Sequence, residues 1–296
     1  TIKGKGFSFF ESIKFKKDMK FYPFHSGKLK SDLYENASDE IIKKIITFCN
    51  LKKIEVPNFK SYKTESKKIL DNKLFSLIKS YSKELFAFTK KNKKALVLDA
   101  DLTKDSGSSE VMLKLPKQFV EFGIAEQDMV SFGSGLAAKK FLPIFHSFSC
   151  FLSTRAQEQI FNFCSENRKG IFVGALSGLT PSAPGHSHQM LRDIPLIGSM
   201  PNMTMVELYS EKMIKQFFNY QKKIKNSLFV KINNSELIEK NFKNLKLPKI
   251  GNFLEVLNKK NNNTVIICQG AEVLNEILKI KNEIKSMNKI SLFFSV

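Results

Sequence analysis

Phe119-Val120-Glu121-Phe122-Gly123-Ile124-Ala125-Glu126-Gln127-Asp128-Met129 carries two kinds of patterning in one short stretch. An apolar strand ends at Gly123, and Glu126 opens a helix rich in small residues, Gly133, Ser134, Gly135, Ala137 and Ala138. A strand that passes directly into a helix is the building unit of an open α/β sheet, whose ligands gather beyond the carboxyl ends of its strands. Glu126 stands where a site carboxylate belongs. An acid that merely favours the helix macrodipole explains the same position, so both readings are open at this point.

Outward from this stretch, apolar runs at 95–98, 141–145, 171–173, 203–206 and 228–232 read as buried strands, separated by segments with helical periodicity. That alternation predicts an α/β fold, a parallel sheet flanked by helices, over 62–240. The flanks differ in character. Segment 1–61 has a Gly- and Lys-rich opening, an aromatic patch at Phe21-Tyr22-Pro23-Phe24, a helix starting near Ser38 with Asp39 and Glu40 in its first turn, and a connector containing Pro57. It reads as the tail of one domain plus a linker. Segment 241–296 reads as part of a third domain: a strand at 264–268, a turn at Gln269-Gly270, an amphipathic helix at 271–284 and a strand-like run at 290–296 form one βαβ unit. Both ends of the chain read as cut.

With 42% hydrophobic and 26% charged residues over 296 positions, the chain has the composition of a folded globular protein. No apolar run approaches the roughly 18 to 20 residues that span a bilayer, and the expectation is a cytoplasmic protein without a membrane partner. The formal charge of +20 raises nucleic-acid binding. It is nearly all lysine, spread along the chain, with arginine only at Arg155, Arg168 and Arg192, so a solvated surface is the better reading and no nucleic-acid partner is expected. Cys49, Cys150, Cys164 and Cys268 stand singly in apolar contexts and read as reduced, buried thiols.

A second stretch, Ser182-Ala183-Pro184-Gly185-His186-Ser187-His188-Gln189, sets two of the four histidines in a loop stiffened by Pro and Gly. A histidine titrating near neutrality on such a loop is suited to proton transfer. Zinc ligation lacks a third ligand at suitable spacing, and a purely structural loop stays open as the plain alternative.

Taken in order, Leu98-Asp99-Ala100-Asp101-Leu102, Phe122 to Met129, Ser147-Phe148-Ser149-Cys150-Phe151-Leu152-Ser153-Thr154-Arg155-Ala156, Ser187-His188-Gln189 and Ile197-Gly198-Ser199-Met200-Pro201-Asn202-Met203 resemble the pyrimidine-binding domain of the transketolase family. Thr1 to Gly6, running on to Phe24-His25-Ser26-Gly27, resembles the end of that family's diphosphate-binding domain.

The resemblance implies the thiamine-diphosphate-binding fold and transfer of a two-carbon ketol unit between sugars or sugar phosphates. Glu126 would hydrogen-bond the pyrimidine ring nitrogen, while Phe148 and Phe151 would pack on the ring. His188 would transfer a proton and stabilise developing negative charge on substrate oxygen. Asp101 would lie near the cofactor, with turn formation as its alternative, and His25 would approach the diphosphate side. No metal ligand is assigned in this chain, because the family's Gly-Asp-Gly motif is absent; the ligands of Mg2+ are expected outside it. The partner would be a second copy or a separate subunit that supplies the diphosphate-binding domain. Relatives have Gly-Glu-Asp-Gly-Pro where this chain has Ser182 to His186, and often histidine where it has Leu176, which bears on the substrate. A deoxyxylulose-phosphate-synthase-like or other acyl-transferring enzyme is the alternative within the family's chemistry. A regulatory protein that kept the fold is the alternative outside it.

Overall fold

The computed structural model describes residues 31–56, 74–178, 185–243, 245, 251–257, 264–279 and 290–295. The chain divides into two compact units, Thr1–Ile69 and Leu70–Val296. The first holds one described helix, Ser31–Lys52. It starts well ahead of Ser38, so Asp39 and Glu40 lie in its body rather than its first turn, and Glu40 pairs with Lys44 one turn on at 2.8 Å.

The second unit is built on six parallel strands among the described residues: β2 (Ala95–Asp99), β3 (Phe119–Glu121), β4 (Leu142–Phe148), β5 (Ile171–Ala175), β6 (Met203–Glu207) and β7 (Ser227–Ile232), in the order β3-β2-β4-β5-β7-β6. β1 (Leu74–Ser76) pairs antiparallel with β8 (Glu236–Ile238). The parallel sheet flanked by helices expected from the alternation is present. β4 and β5 run further than the apolar runs that signal them, to Phe148 and Ala175, and this carries their last residues to the edge where a ligand would sit.

Period-2 alternation splits the strands between two cores. Val97, Ile144, Val173, Leu228 and Val230 face helices Leu77–Lys91 and Glu211–Tyr220, through Tyr81, Leu85, Ile214 and Phe217. Those helices start where Ser76 and Ser210 accept the N–H groups of Lys79 and Met213. Leu98, Phe145, Phe172 and Phe229 face the opposite way, onto helices Glu126–Ala138 and Gln157–Ser165. Here Phe145 stacks on Phe172 at 4.5 Å, and the Glu126 helix comes so close that a Cβ on Gly133 would lie 2.1 Å from the Phe145 ring. A glycine is required there.

The C-terminal strands form a separate sheet in which β10 (Thr264–Gln269) pairs parallel with β11 (Ile290–Ser295), and β11 pairs antiparallel with β9 (Leu254–Leu257). Helix Ala271–Lys279 follows β10 after Gly270, whose φ of +96° makes the turn expected at Gln269-Gly270. Residues 280–284 of the expected helix lie outside the described residues. The four cysteines are free and buried. No helix among the described residues is long and apolar enough to cross a membrane.

Candidate functional site

The chain leaves β2 toward β3 and leaves β4 toward β5, in opposite directions along the sheet. A crevice opens at such a switch point, outside the carboxyl ends of the two strands. β3 stops at Glu121 rather than at Gly123, because the next turn needs its backbone. Gly123 adopts φ +64°, and the Glu121 carboxylate accepts the N–H groups of Gly123 at 2.9 Å and Asp101 at 2.8 Å. One side chain thus fixes the two loops that border the crevice.

Beyond that turn Glu126 begins its helix, 2% exposed. Its Oε1 accepts from Ser147 Oγ of β4 at 3.1 Å and from Arg155 Nη1 at 3.0 Å, and its Oε2 lies 3.2 Å from the same Nη1. A carboxylate has about four lone-pair sites. Three contacts leave capacity for one more donor.

Arg155 ends helix Ser149–Arg155, and its guanidinium carbon sits 3.9 Å above the Phe151 ring. Cation and ring stabilise each other in this arrangement, which holds the long arginine in one conformation. Phe148, the last residue of β4, lies 5.8 Å from Phe151 between ring centroids. The His188 ring meets both edge-on, at 5.8 Å from Phe148 and 5.1 Å from Phe151. His188 also shares a hydrogen bond with Ser187 Oγ through Nδ1 at 2.9 Å, and its loop is fastened by two backbone bonds between Gly178 and Met190. Leu176 is buried against this group, beside Phe148, Cys150 and Met190, in a left-handed conformation with φ +52°. A bulky residue held that way costs about 1–3 kcal/mol, the kind of strain that collects at functional sites.

The structure therefore brings Glu126, Phe148, Phe151 and His188 to one end of the sheet, with Glu126 and Phe151 joined through Arg155. Asp101 is exposed, with φ +61°, and its backbone N–H is bound by Glu121, which is a turn-making position at the rim. Its neighbour Asp99 is the buried one, 0% exposed and bonded by Leu102 N–H, Ser106 Oγ and Ser108 Oγ at 2.7 to 2.8 Å. Burial raises the Asp99 carboxyl above the usual range against the pull of those three bonds. His25 lies outside the described residues. Sequence reasoning gave no role to Ser147 or Arg155. The signal for Arg155 was its rarity, as one of three arginines in a chain of lysines.

A buried carboxylate with capacity for one more donor, joined through Arg155 to a group of two phenylalanines and an imidazole, suits a flat heteroaromatic ring that donates one hydrogen bond. Residues 75–237, more than half of the chain, match the family described as "Transketolase, pyrimidine binding domain". A putative transketolase C-terminal section from Methanocaldococcus jannaschii is 34% identical over 129 residues, 43% of this chain and 41% of that protein. A 1-deoxy-D-xylulose-5-phosphate synthase from Clostridium acetobutylicum is 30% identical over 128 residues, 43% of this chain and 20% of that protein. The aligned part is thus less than half of either relative's length. A solved structure titled as a split gene transketolase, inactive beta4 tetramer, superposes with a TM-score of 0.61 at 22% identity, over 74% of this chain and 71% of that one, a likeness of fold. On the match over 75–237, the chain belongs to the transketolase pyrimidine-binding-domain family.

Proposed function

We propose that this chain supplies the pyrimidine-binding half of a cytoplasmic thiamine-diphosphate-dependent, transketolase-like transferase that moves a two-carbon ketol unit between sugar or sugar-phosphate substrates. The observation that carries the reading is the Glu126 carboxylate, buried at the carboxyl end of the sheet and joined through Arg155 to the Phe151 ring. Thiamine diphosphate, when bound, would supply the carbon-acid chemistry of the group transfer, which side chains alone do not provide. Glu126 accepts a hydrogen bond from the pyrimidine ring and holds a shared proton there. Arg155 holds that carboxylate in place through its two contacts with Nη1. Phe148 and Phe151 exclude water from the ring faces. His188, half-buried over the two rings, stands where it can donate to a substrate oxygen.

In this reading segment 1–61, including His25, belongs to the end of a diphosphate-binding domain, and 241–296 to a C-terminal domain. Mg2+ and the diphosphate are held by residues of another domain or subunit. Ile124 and Phe132, 75% and 46% exposed, flank Glu126 on its loop and helix and provide the apolar surface on which that half, or a second copy, seats. An acyl-transferring activity like that of the synthase relatives is the second reading, favoured by the 30% identity to one of them.

Calorimetric titration of thiamine diphosphate with Mg2+ into the chain alone, and into the chain combined with a diphosphate-binding chain, tests the assignment. Saturable binding in the combination and none at micromolar concentration alone is expected. No binding in the combination, with both chains folded, contradicts it. Product analysis with ketose donors then separates ketol transfer from the acyl-transferring alternative.

A further inference from the structure

Three charged side chains that take no part in the site above are buried together. Asp193, Glu207 and Lys231 are 2%, 4% and 7% exposed. Lys231 Nζ lies 3.3 Å from Asp193 Oδ2 and 3.5 Å from Glu207 Oε2. Two carboxyl groups around one amine in a dry place persist only where further donors help to satisfy the oxygens. Both carboxylates have such donors, and they come from different parts of the unit. Asp193 Oδ2 accepts from Ser149 Oγ at 3.4 Å, and Oδ1 accepts the N–H of Ile194 at 2.9 Å. Glu207 Oε1 accepts the N–H of Ala271 at 2.9 Å, the first residue of helix Ala271–Lys279. Burial raises the Glu207 carboxyl, while Lys231 and the Ala271 N–H hold it down.

The elements at the two ends of this chain of contacts are the informative part. Ser149 opens the helix that carries Phe151 and ends at Arg155, the residue gripping Glu126. Asp193 opens helix Asp193–Gly198, which follows directly on the His188 loop. Glu207 ends β6 and Lys231 lies opposite it on β7. The Ala271 helix belongs to the βαβ unit of the C-terminal sheet.

We propose that Lys231 is a positioning residue: through Asp193 and Ser149 it holds the helix bearing Phe151 and Arg155, and through Glu207 it ties that arrangement to the start of the Ala271 helix. Its effect on the reaction rests on the function proposed above for Glu126; the mechanical linkage itself does not. Replacing Lys231 by Met removes the ammonium that both carboxyl groups contact, so both contacts are lost at once. Arg keeps the charge and can bridge both carboxylates, and it restores the linkage.

The test reads amide hydrogen exchange by mass spectrometry, peptide by peptide, in the full chain, for Lys231→Met, Lys231→Arg and Glu207→Gln. For Lys231→Met, exchange is expected to rise at least about tenfold in both 149–155 and 271–279, with β4 and β5 unchanged. Lys231→Arg returns both segments to within about threefold of the parent, and Glu207→Gln loosens 271–279 far more than 149–155. A rise confined to one segment in Lys231→Met, or one spread evenly over the sheet, overturns the proposal, as does failure of Arg to restore protection. If Lys231→Met does not fold, the neutral triple replacement Asp193→Asn, Lys231→Met, Glu207→Gln removes all three charges at similar volume. Protection of both segments equal to the parent's in the triple variant overturns the proposal just as directly.

In the enzyme assembled with a diphosphate-binding chain, Lys231→Met is expected to lower kcat by tenfold or more with KM for the sugar changed less than about threefold, and Lys231→Arg to recover kcat. Segmental loosening without that loss of kcat overturns the positioning role. An inactive parent enzyme, by contrast, counts against the function proposed for Glu126 and leaves the exchange result to judge the linkage.

Discussion

The Arg155 guanidinium reaches both oxygens of the Glu126 carboxylate through one nitrogen, at 3.0 and 3.2 Å, while its carbon rests 3.9 Å above Phe151. One side chain therefore connects the carboxylate to the aromatic wall. Arg155→Met removes the cation and leaves the buried Glu126 with Ser147. We expect a loss of about 1–2 kcal/mol in urea unfolding, set low because Arg155 is 42% exposed and screened by solvent. A loss under about 0.3 kcal/mol, the level of ordinary surface replacements, contradicts the pairing.

Gly133→Ala tests the close approach of the Glu126 helix to the sheet. The added methyl would fall 2.1 Å from one Phe145 ring carbon and 2.4 Å from another, and Phe145 has no room to yield because it stacks on Phe172. Overpacking of this kind costs about 1–3 kcal/mol, more than the gain in helix propensity from Ala. An urea midpoint equal to or above the parent's would refute the contact.

His146 predicts an acid-sensitive component of stability. Its ring is fully buried on β4, sharing a hydrogen bond with Tyr81 through Nε2 at 2.9 Å, and burial lowers its pKa from 6.5 to about 4. The folded state thus binds fewer protons than the unfolded state between those values. The contribution is complete above pH 6.5 and is lost as pH falls toward 4, by about 3 kcal/mol at about 1.4 kcal/mol per unit. Relative to His146→Gln, the parent should lose this margin between pH 7 and pH 4 in denaturant titrations. A margin independent of pH would show that the ring is not held neutral.

Much of the fold was legible in the residues. The apolar runs at 95–98 and 228–232 are strands because both their faces are covered, and buried parallel strands read as continuous apolar runs. Boundaries were less legible. β4 extends to Phe148 through His146 and Ser147, polar residues whose hydrogen bonds to Tyr81 and Glu126 are visible only once the fold brings distant segments together. The helix start placed at Ser38 falls at Ser31, because an acidic first turn is a weaker signal than it looks when Asp39 and Glu40 also suit a helix body facing Lys43 and Lys44. Ordered motifs single out Glu126, Phe148, Phe151 and His188, which the structure gathers at one end of the sheet. Arg155 lies within one of them, but nothing in its spacing says that it reaches a carboxylate twenty-nine positions earlier. The cluster of Asp193, Lys231 and Glu207 is likewise a product of strand order: β6 and β7 are neighbours in the sheet, and only that adjacency sets their charges side by side.

The central claim is that the Glu126 carboxylate shares a proton with the pyrimidine ring of thiamine diphosphate. Glu126→Gln keeps the volume and one acceptor oxygen but cannot share that proton. The measurement is exchange of the thiazolium proton, followed by NMR in deuterated water, with the chain assembled with a diphosphate-binding chain and the cofactor saturating. The account predicts a fall on the order of 10² to 10⁴ in the exchange rate, with cofactor affinity weakened only modestly because Phe148 and the diphosphate contacts survive. An exchange rate within about twofold of the parent would contradict it, and Glu126 would then be no more than a buried acid at a helix start.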